Sequence, residues 1–243
     1  MSGQQGRFAT TMIAVSLLVG GVLIAPLPGT LAPAFADDTL AAQQLVEKAR
    51  IAFEGFLADP QMGGSLRSIL TGAKAVLIYP QILRGAFFFG GSGGSGALLA
   101  RDEKASTWAG PAFYTIGQFS FGFQFGGDAA EVVLVALTER GLSAFLSTSS
   151  KLGADVGVTA GPIGGGAEAA TANLSVDILS FSRTKGLYAG VSVNGAVVAV
   201  RGSLNQAYYH QDVSPSSILI SRDVSNPHAA GLIEAVAKAA GGK

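Results

Sequence analysis

The chain has 243 residues, with 16 lysines and arginines against 16 aspartates and glutamates, so no overall field recruits nucleic acid and any electrostatic function has to be local. It has no cysteine, which excludes disulfides, thiol catalysis, cysteine metal sites and a lipid-modified cysteine anchor. With 34 glycines, 49% hydrophobic and only 13% charged residues, the composition points to close-packed strands and tight turns rather than disorder.

Residues 1–36 carry one basic residue, Arg7, an apolar run over 12–27, and Ala34-Phe35-Ala36 before Asp37-Asp38. That order matches a secretory signal with an A-x-A cleavage site. Gly20, Gly21 and Pro26 interrupt the run, which is short for a membrane span of about 20 residues. Cleavage after Ala36 and a periplasmic or secreted mature protein are therefore expected. The rest divides into an N-terminal helix (37–60), a β-rich domain (61–225) and a C-terminal helix and tail (226–243).

Over 38–59, Leu45, Val46, Ala49, Phe53, Phe56 and Leu57 recur at spacings of three and four, which predicts an amphipathic helix capped by Asp38 or Thr39 and stopped by Pro60. Its polar face mixes Glu47 and Glu54 with Lys48 and Arg50. Without a basic excess it is expected to dock on a sheet rather than lie in a membrane interface. A second short helix is expected over 65–70. Strands over 75–79, 85–89 and 96–101 follow, separated by Pro80 and the glycine run 90–94.

The segment 108–111 leads into the longest β signal, where Phe119, Phe121, Phe123 and Phe125 alternate with Ser120, Gly122 and Gln124. Such a row of Phe either fills a core or lines an apolar cavity. A strand over 131–138, a short helix over 140–147, and alternating strands over 152–160 and 169–181 come next. In 181–195, Arg183 and Lys185 precede Tyr188, Val191 and Val193, and Asn194-Gly195 predicts a type I′ hairpin. A strand over 196–204, a tail over 215–220 and a small-residue helix over 227–240 complete the chain. About eight or nine strands at turn spacings of 8 to 12 residues indicate an α+β fold, mainly antiparallel β. The expected form is a sandwich or barrel-like sheet core with an N-terminal amphipathic helix and short peripheral helices.

Two glycine motifs carry little chemistry. Gly91-Ser92-Gly93-Gly94-Ser95-Gly96 fits the dinucleotide pattern G-x-G-x-x-G, and 90–94 fits the hydrolase pattern G-x-S-x-G. The first needs a helix immediately afterwards and the second a strand-to-helix elbow, whereas Ala97 to Arg101 reads as strand. His210 and His228 lie beside turn residues with no acid at ligand spacing and read as solvated. Asp128 and Glu131 fall in a strand pattern and form no visible acid/base pair. No enzyme activity, cofactor or metal is expected.

The charge distribution is more informative. Between Asp59 and Asp102 there are Arg67, Lys74, Arg84 and Arg101 but no acid, and between Asp177 and Asp212 there are Arg183, Lys185 and Arg201, again with no acid. If these segments meet, they form one cationic face able to attract anionic headgroups at about 1 kcal/mol per basic residue. The competing reading is strand-edge cations that oppose aggregation.

Several blocks in order resemble the SYLF domain family over about residues 45–222. They are Ala73-Lys74-Ala75-Val76, the 91–96 glycine block with Ala100-Arg101, the segment 108–111, and Gly122-Phe123-Gln124-Phe125-Gly126. Lys151-Leu152-Gly153-Ala154-Asp155 through Gly161-Pro162, and 182–195, complete the match. Ala75, Ser92 and Asn194 depart from the usual residues, and Ser92 removes one expected cation. The resemblance implies a non-enzymatic domain that binds anionic lipids, with some eukaryotic members also binding actin. Together with the export signal, it implies binding of anionic phospholipid or an envelope membrane surface through Lys74, Arg84, Arg101, Arg183, Lys185 and Arg201. On this reading actin is an unlikely partner, and a protein-interaction or structural envelope module is the alternative.

Overall fold

The computed structural model describes residues 32–86, 90–102, 104–105, 107–120, 126–161, 176–184 and 192–241. Four short runs, 75–79, 97–100, 132–136 and 178–181, are buried at every position. A strand reads this way when both of its faces are covered, and these runs form the centre of one sheet. The strands are β1 (Ala75–Ala86), β2 (Gly90–Asp102), β3 (Thr107–Ser120), β4 (Gly126–Ala136), β5 (Ser149–Lys151), β6 (Val158–Ala160), β7 (Ile178–Thr184) and β8 (Val197–Val200). They lie in the order β5-β8-β3-β2-β1-β4-β7-β6. Among the described strands only the β6/β7 pairing is parallel.

The fold is thus α+β and mainly antiparallel, as expected, and the sheet takes the barrel-like form. Its edge strands β5 and β6 are consecutive in the chain. A flat sheet of eight strands would hold its edges about 34 Å apart. The seven residue steps from Lys151 to Val158 reach at most about 25 Å, so the sheet must curl. The linker is drawn tighter still by Gly153 N–H donating to Val156 O (2.8 Å) and by a bridge between Leu152 and Val156.

One face of the sheet is covered by α1 (Ala32–Ala58), whose buried residues Ala42, Leu45, Val46, Ala49, Ala52, Phe53 and Phe56 follow the helical stripe. The helix docks on the sheet as predicted, but it starts at Ala32, so Asp38 and Thr39 lie inside it rather than at its cap. Thr39 Oγ1 donates instead to Ala207 O of a later helix (3.1 Å). The helix α2 (Gly63–Leu70) follows a turn in which Asp59 Oδ1 accepts from the N–H groups of Gln61 and Met62 (2.8 and 3.1 Å). The helix α3 (Glu139–Leu146) is capped by Thr138, whose hydroxyl accepts from Gly141 N–H at 3.0 Å. Its Phe145 carbonyl receives the buried Tyr114 hydroxyl on the other face of the sheet (2.5 Å).

Several expected boundaries move for identifiable reasons. Pro80 does not end a strand, and β1 runs through it. The register to β2 shifts between Ile78 and Gln81, and that to β4 between Tyr79 and Ile82, so the residue without an N–H sits in a bulge where the ladder is already interrupted. The glycine run 90–94 is likewise strand rather than turn, paired with β1 on one side and β3 on the other. A Cβ on Gly96 would lie 2.6 Å from the Tyr79 ring and one on Gly94 2.3 Å from Gln81 O.

The expected strand over 196–204 is only β8, followed by α4 (Gly202–Tyr209). Asn205 of α4 is fully buried because its Oδ1 accepts from Phe113 N–H (2.8 Å), which lies just past the end of the β3/β8 pairing. A single π-helical turn (Ser217–Ser221), a short 3-10 turn (Pro227–Ala229) and α5 (Ala230–Ala239) finish the chain.

Asn194-Gly195 does make a turn, with Ala196 N–H donating to Val193 O (3.1 Å) and Gly195 at φ +81°. It is not a type I′ hairpin. Asn194 is not at positive φ, and one positive φ at the third position is the type II signature. The flanking strands β7 and β8 are far apart in the sheet order. The turn instead docks on the linker between the two edges, where Gly195 N–H donates to Leu152 O (2.8 Å) and Leu152 N–H to Ala196 O (2.9 Å). Of the phenylalanine row, Phe121, Phe123 and Phe125 lie outside the described residues, as do Lys185, Tyr188 and Val191.

Candidate functional site

Antiparallel pairing brings the start of β1 beside the end of β2. Arg101 N–H donates to Lys74 O at 2.8 Å, and Lys74 N–H to Ala136 O at 2.9 Å. Two residues expected to bind anions are therefore adjacent in space although 27 positions separate them in sequence. They line a cleft of about 330 Å³ with Asp102, Lys104, Glu139, Leu142, Leu219, Ile220 and Arg222. Among the described residues four cations face two carboxylates there, an excess of positive charge among them on a chain that is neutral overall.

Backbone groups hold Arg101 and Asp102, and side-chain ion pairs hold Lys74 and Arg222. Arg101 Nη1 donates to Thr71 O (2.5 Å), while its Nε is buried without a hydrogen-bond partner. Lys74 Nζ pairs with Glu139 Oε1 at 2.7 Å in the first turn of α3. Asp102 Oδ1 accepts from the N–H groups of Lys104 and Ala105 (2.8 and 3.1 Å), folding the chain after β2 back on itself. Its Oδ2 takes Arg222 Nη1 at 2.8 Å. The Ala105 and Lys104 amides, with Arg222 adding a smaller contribution, hold the Asp102 carboxyl below its ordinary range.

Arg222 terminates the π-helical turn in the left-handed conformation, at φ +60°. The same turn places Leu219 in the core and leaves Ile220 half exposed at the cleft. The cleft therefore offers two lysines and two arginines beside apolar surface. Arg presents a planar fork suited to phosphate oxygens, and Lys a point charge.

The other expected site residues are placed differently. Arg183 lies on β7, opposite Glu131 of β4, and its Nε donates to Glu131 Oε2. Its guanidinium carbon sits 4.7 Å from the centre of the Phe56 ring of α1. Through Leu137 N–H donating to Asp177 O (2.9 Å), the Lys74 end of the sheet aligns with Asp177. Arg183 is six residues beyond it, about 20 Å along the strand. The single cationic face expected from the two acid-free segments is thus not formed by Arg101 and Arg183, because the pairing that joins the segments sets these residues at different levels.

Arg201 precedes α4 and donates from Nη1 to Ser95 Oγ (2.6 Å), six residues before Arg101 on β2 and away from the cleft. Arg84 lies in β1 opposite Ser92 and Asp128, with its side chain outside the described residues, as is Lys185. Lys104 and Arg222 were not anticipated. Lys104 follows two acids in sequence, and Arg222 lies 120 positions from the aspartate it meets, so neither gives a local signal.

Neither histidine forms a base with a positioned acid. His210 ends α4 in the left-handed conformation, at φ 57°. His228 is not simply solvated, however. Its Nδ1 lies 3.4 Å from the Tyr208 hydroxyl and its Nε2 3.9 Å from Glu47 Oε1, tying α5's approach to α1. Glu131 is held by Arg183, and among the described residues no cluster of three metal-ligating side chains occurs. No helix among the described residues is long and apolar enough to cross a membrane.

These features define an α+β module built on one curled sheet, with a basic cleft where β1, β2, α3 and the C-terminal π turn converge. The family model described as "Ysc84: Las17-binding protein actin regulator" matches residues 117–239, half of the chain, and the chain belongs to this Ysc84 (SYLF) family. A fission yeast protein, SH3 domain-containing protein PJ696.02 of Schizosaccharomyces pombe, is 34% identical over 167 residues, covering 67% of this chain and 38% of its own. Protein YSC84 of Saccharomyces cerevisiae is 33% identical over 159 residues, 63% of this chain and 33% of its own. The human SH3 domain-containing YSC84-like protein 1 is 28% identical over 153 residues, 62% of this chain and 44% of its own. The chain thus spans between a third and a half of the curated relatives it matches. The family's description names binding and regulation, not a reaction.

Proposed function

We propose that this domain binds anionic lipid without covalent chemistry, through the basic cleft formed by Lys74, Arg101, Lys104 and Arg222. The observation that carries this reading is the local excess of cations beside the half-exposed Ile220. Charged headgroup oxygens have donors to meet, and an apolar side chain stands next to them. Arg183 is assigned instead to joining β7 and β4 to α1. Export, read from residues 1–36, would bring the cleft to an envelope membrane. The described buried stripe of α1 begins at Ala42, so cleavage after Ala36 spares it, and N-terminal sequencing of the secreted protein tests that site.

Co-sedimentation with anionic and neutral vesicles across a salt series tests the function. Each basic residue near an anionic surface contributes about 1 kcal/mol, so Lys104→Ala combined with Arg222→Ala should weaken anionic binding by about 30-fold and flatten its salt dependence. No anionic preference at low salt, or an unchanged double variant, would refute the reading. A second reading is favoured by the names of the relatives, which include Las17-binding proteins, and in it the domain contacts an actin-regulatory protein partner. The expectation against actin rested on export alone. Salt-insensitive binding to a protein partner, with no vesicle binding, would favour this reading.

A further inference from the structure

Two ion pairs of the basic cleft are held with unequal firmness. Asp102 takes the Lys104 and Ala105 amides on Oδ1 and Arg222 Nη1 on Oδ2, with its side chain 28% exposed. Moving it would undo the turn after β2. Glu139 meets Lys74 Nζ at 2.7 Å with its own side chain 74% exposed. It is the first residue of α3, but Thr138 already caps that helix by accepting from Gly141 N–H, so the Glu139 carboxylate can swing out without uncapping it. Lys74 is fixed by comparison. Its side chain is 17% exposed, and its backbone donates to Ala136 O and accepts from Arg101 N–H. The pair therefore joins a fixed cation to a movable carboxylate.

We infer that Glu139 is a displaceable counter-ion of the cleft: it occupies Lys74 in the free protein and gives way when an anionic headgroup enters. The inference rests on the lipid reading of this cleft and adds how binding there is regulated. An ion pair with one partner this open is worth at most about fivefold in a binding constant. A headgroup phosphate that reaches Lys74 shares the cleft with Arg101 and Lys104 as well, so its oxygens meet several cations in exchange for the one pair broken. Arg101 is already set for this, since its Nη1 is fixed on Thr71 O, and an arginine fork binds phosphate oxygens in pairs. Glu139 sets the strength of binding through what has to be displaced from Lys74.

The test is a double-mutant cycle on the full chain, read by co-sedimentation with mixed phosphatidylglycerol and phosphatidylcholine vesicles. The salt is set at about 0.15 M, where charges more than about 8 Å apart are largely screened. Glu139→Gln should tighten binding by up to about fivefold, the worth of the pair it removes. In the Lys74→Met background, which keeps an unbranched apolar side chain but has no amine to release, the same substitution should change binding by less than about twofold. Glu234→Gln, which neutralises an exposed acid outside the cleft on α5, should also change it by less than about twofold. Equal gains from Glu139→Gln in both backgrounds, or an equal gain from Glu234→Gln, would show that the carboxylate acts only through its field and would overturn the assignment. An unchanged Glu139→Gln affinity would overturn it too, while leaving lipid binding by the cleft intact. If the natural sequence shows no preference for the anionic vesicles, the lipid reading falls and the counter-ion role falls with it.

Discussion

Gly55 on α1 and Arg183 on β7 make a prediction whose sign depends on the partner. A Cβ added at Gly55 would stand 2.3 Å from Arg183 Nη2, so Gly55→Ala has to push the guanidinium aside. In a helix, Gly→Ala alone is worth about 1 kcal/mol of stability. Against it stands the disturbed Arg183. The side chains of Arg183 and Glu131 are 27% and 18% exposed, between a surface pair worth about 0–1 kcal/mol and a buried one costing about 3–5 kcal/mol to break. About 2 kcal/mol is the intermediate value, and the contact with Phe56 adds about 0.5–1 kcal/mol. Gly55→Ala should therefore destabilise the natural sequence by about 1–2 kcal/mol but stabilise the Arg183→Ala variant by about 1 kcal/mol. Urea unfolding of the four proteins reads both numbers, and the thermal midpoints should diverge by about 2–4 °C per kcal/mol. If Gly55→Ala has the same sign in both backgrounds, the guanidinium is not held where α1 and Glu131 place it, and the structural assignment of Arg183 fails.

Four further substitutions probe the sheet and the α3 cap. Gly96→Ala should destabilise by about 3 kcal/mol or prevent folding, since the new methyl meets both the Tyr79 ring and the Ile78 carbonyl, at 2.6 and 2.7 Å; soluble yield and urea midpoint check it. Tyr114→Phe should cost about 1 kcal/mol by removing the bond to Phe145 O, whereas Tyr79→Phe should be neutral or stabilising, because the Tyr79 hydroxyl is fully buried with no partner; equal losses in urea unfolding would contradict the contrast. Asp177 is held below its ordinary range first by the Thr138 hydroxyl (2.7 Å), then by Gly157 N–H and Arg140. A carboxyl with a depressed folded-state pKa contributes stability above its unfolded value, about pH 4, and loses it as pH falls through the folded value. Asp177→Asn should therefore flatten the acid limb of the stability profile below about pH 4; an unchanged limb would show that this carboxylate is not linked to folding.

Much of the scaffold can be read locally. The α1 stripe and the strands that hold the buried runs follow from periodicity, which depends only on near neighbours, whereas Thr138, expected to end a strand, caps α3 instead. The misplaced features depend on distant ones. Pro80 looks like a stop until β2 and β4 both shift register around it. The glycine run 90–94 looks like a turn until β1 and β3 pair along both of its sides. Asn194-Gly195 is rightly a turn, but turn chemistry says nothing about which strands flank it, and here the turn fastens the sheet's two edges at Leu152.

The same division governs the candidate site. An acid-free run along the chain shows where charge is unmatched by sequence neighbours, yet charges in a sheet are matched across strands. Arg183 stands in such a run and is still neutralised, because the β4/β7 register sets Glu131 directly opposite it. Lys74 and Arg222 also pair with acids, Glu139 and Asp102, but there the sheet end gathers Arg101 and Lys104 as well. What separates the two places is the count after folding. Among the described residues, one cation meets one carboxylate at Arg183 on the face covered by α1, while four cations share two carboxylates at the open cleft of the β1/β2 end. A binding role follows from that surplus and its exposure, and both quantities are set by strand register.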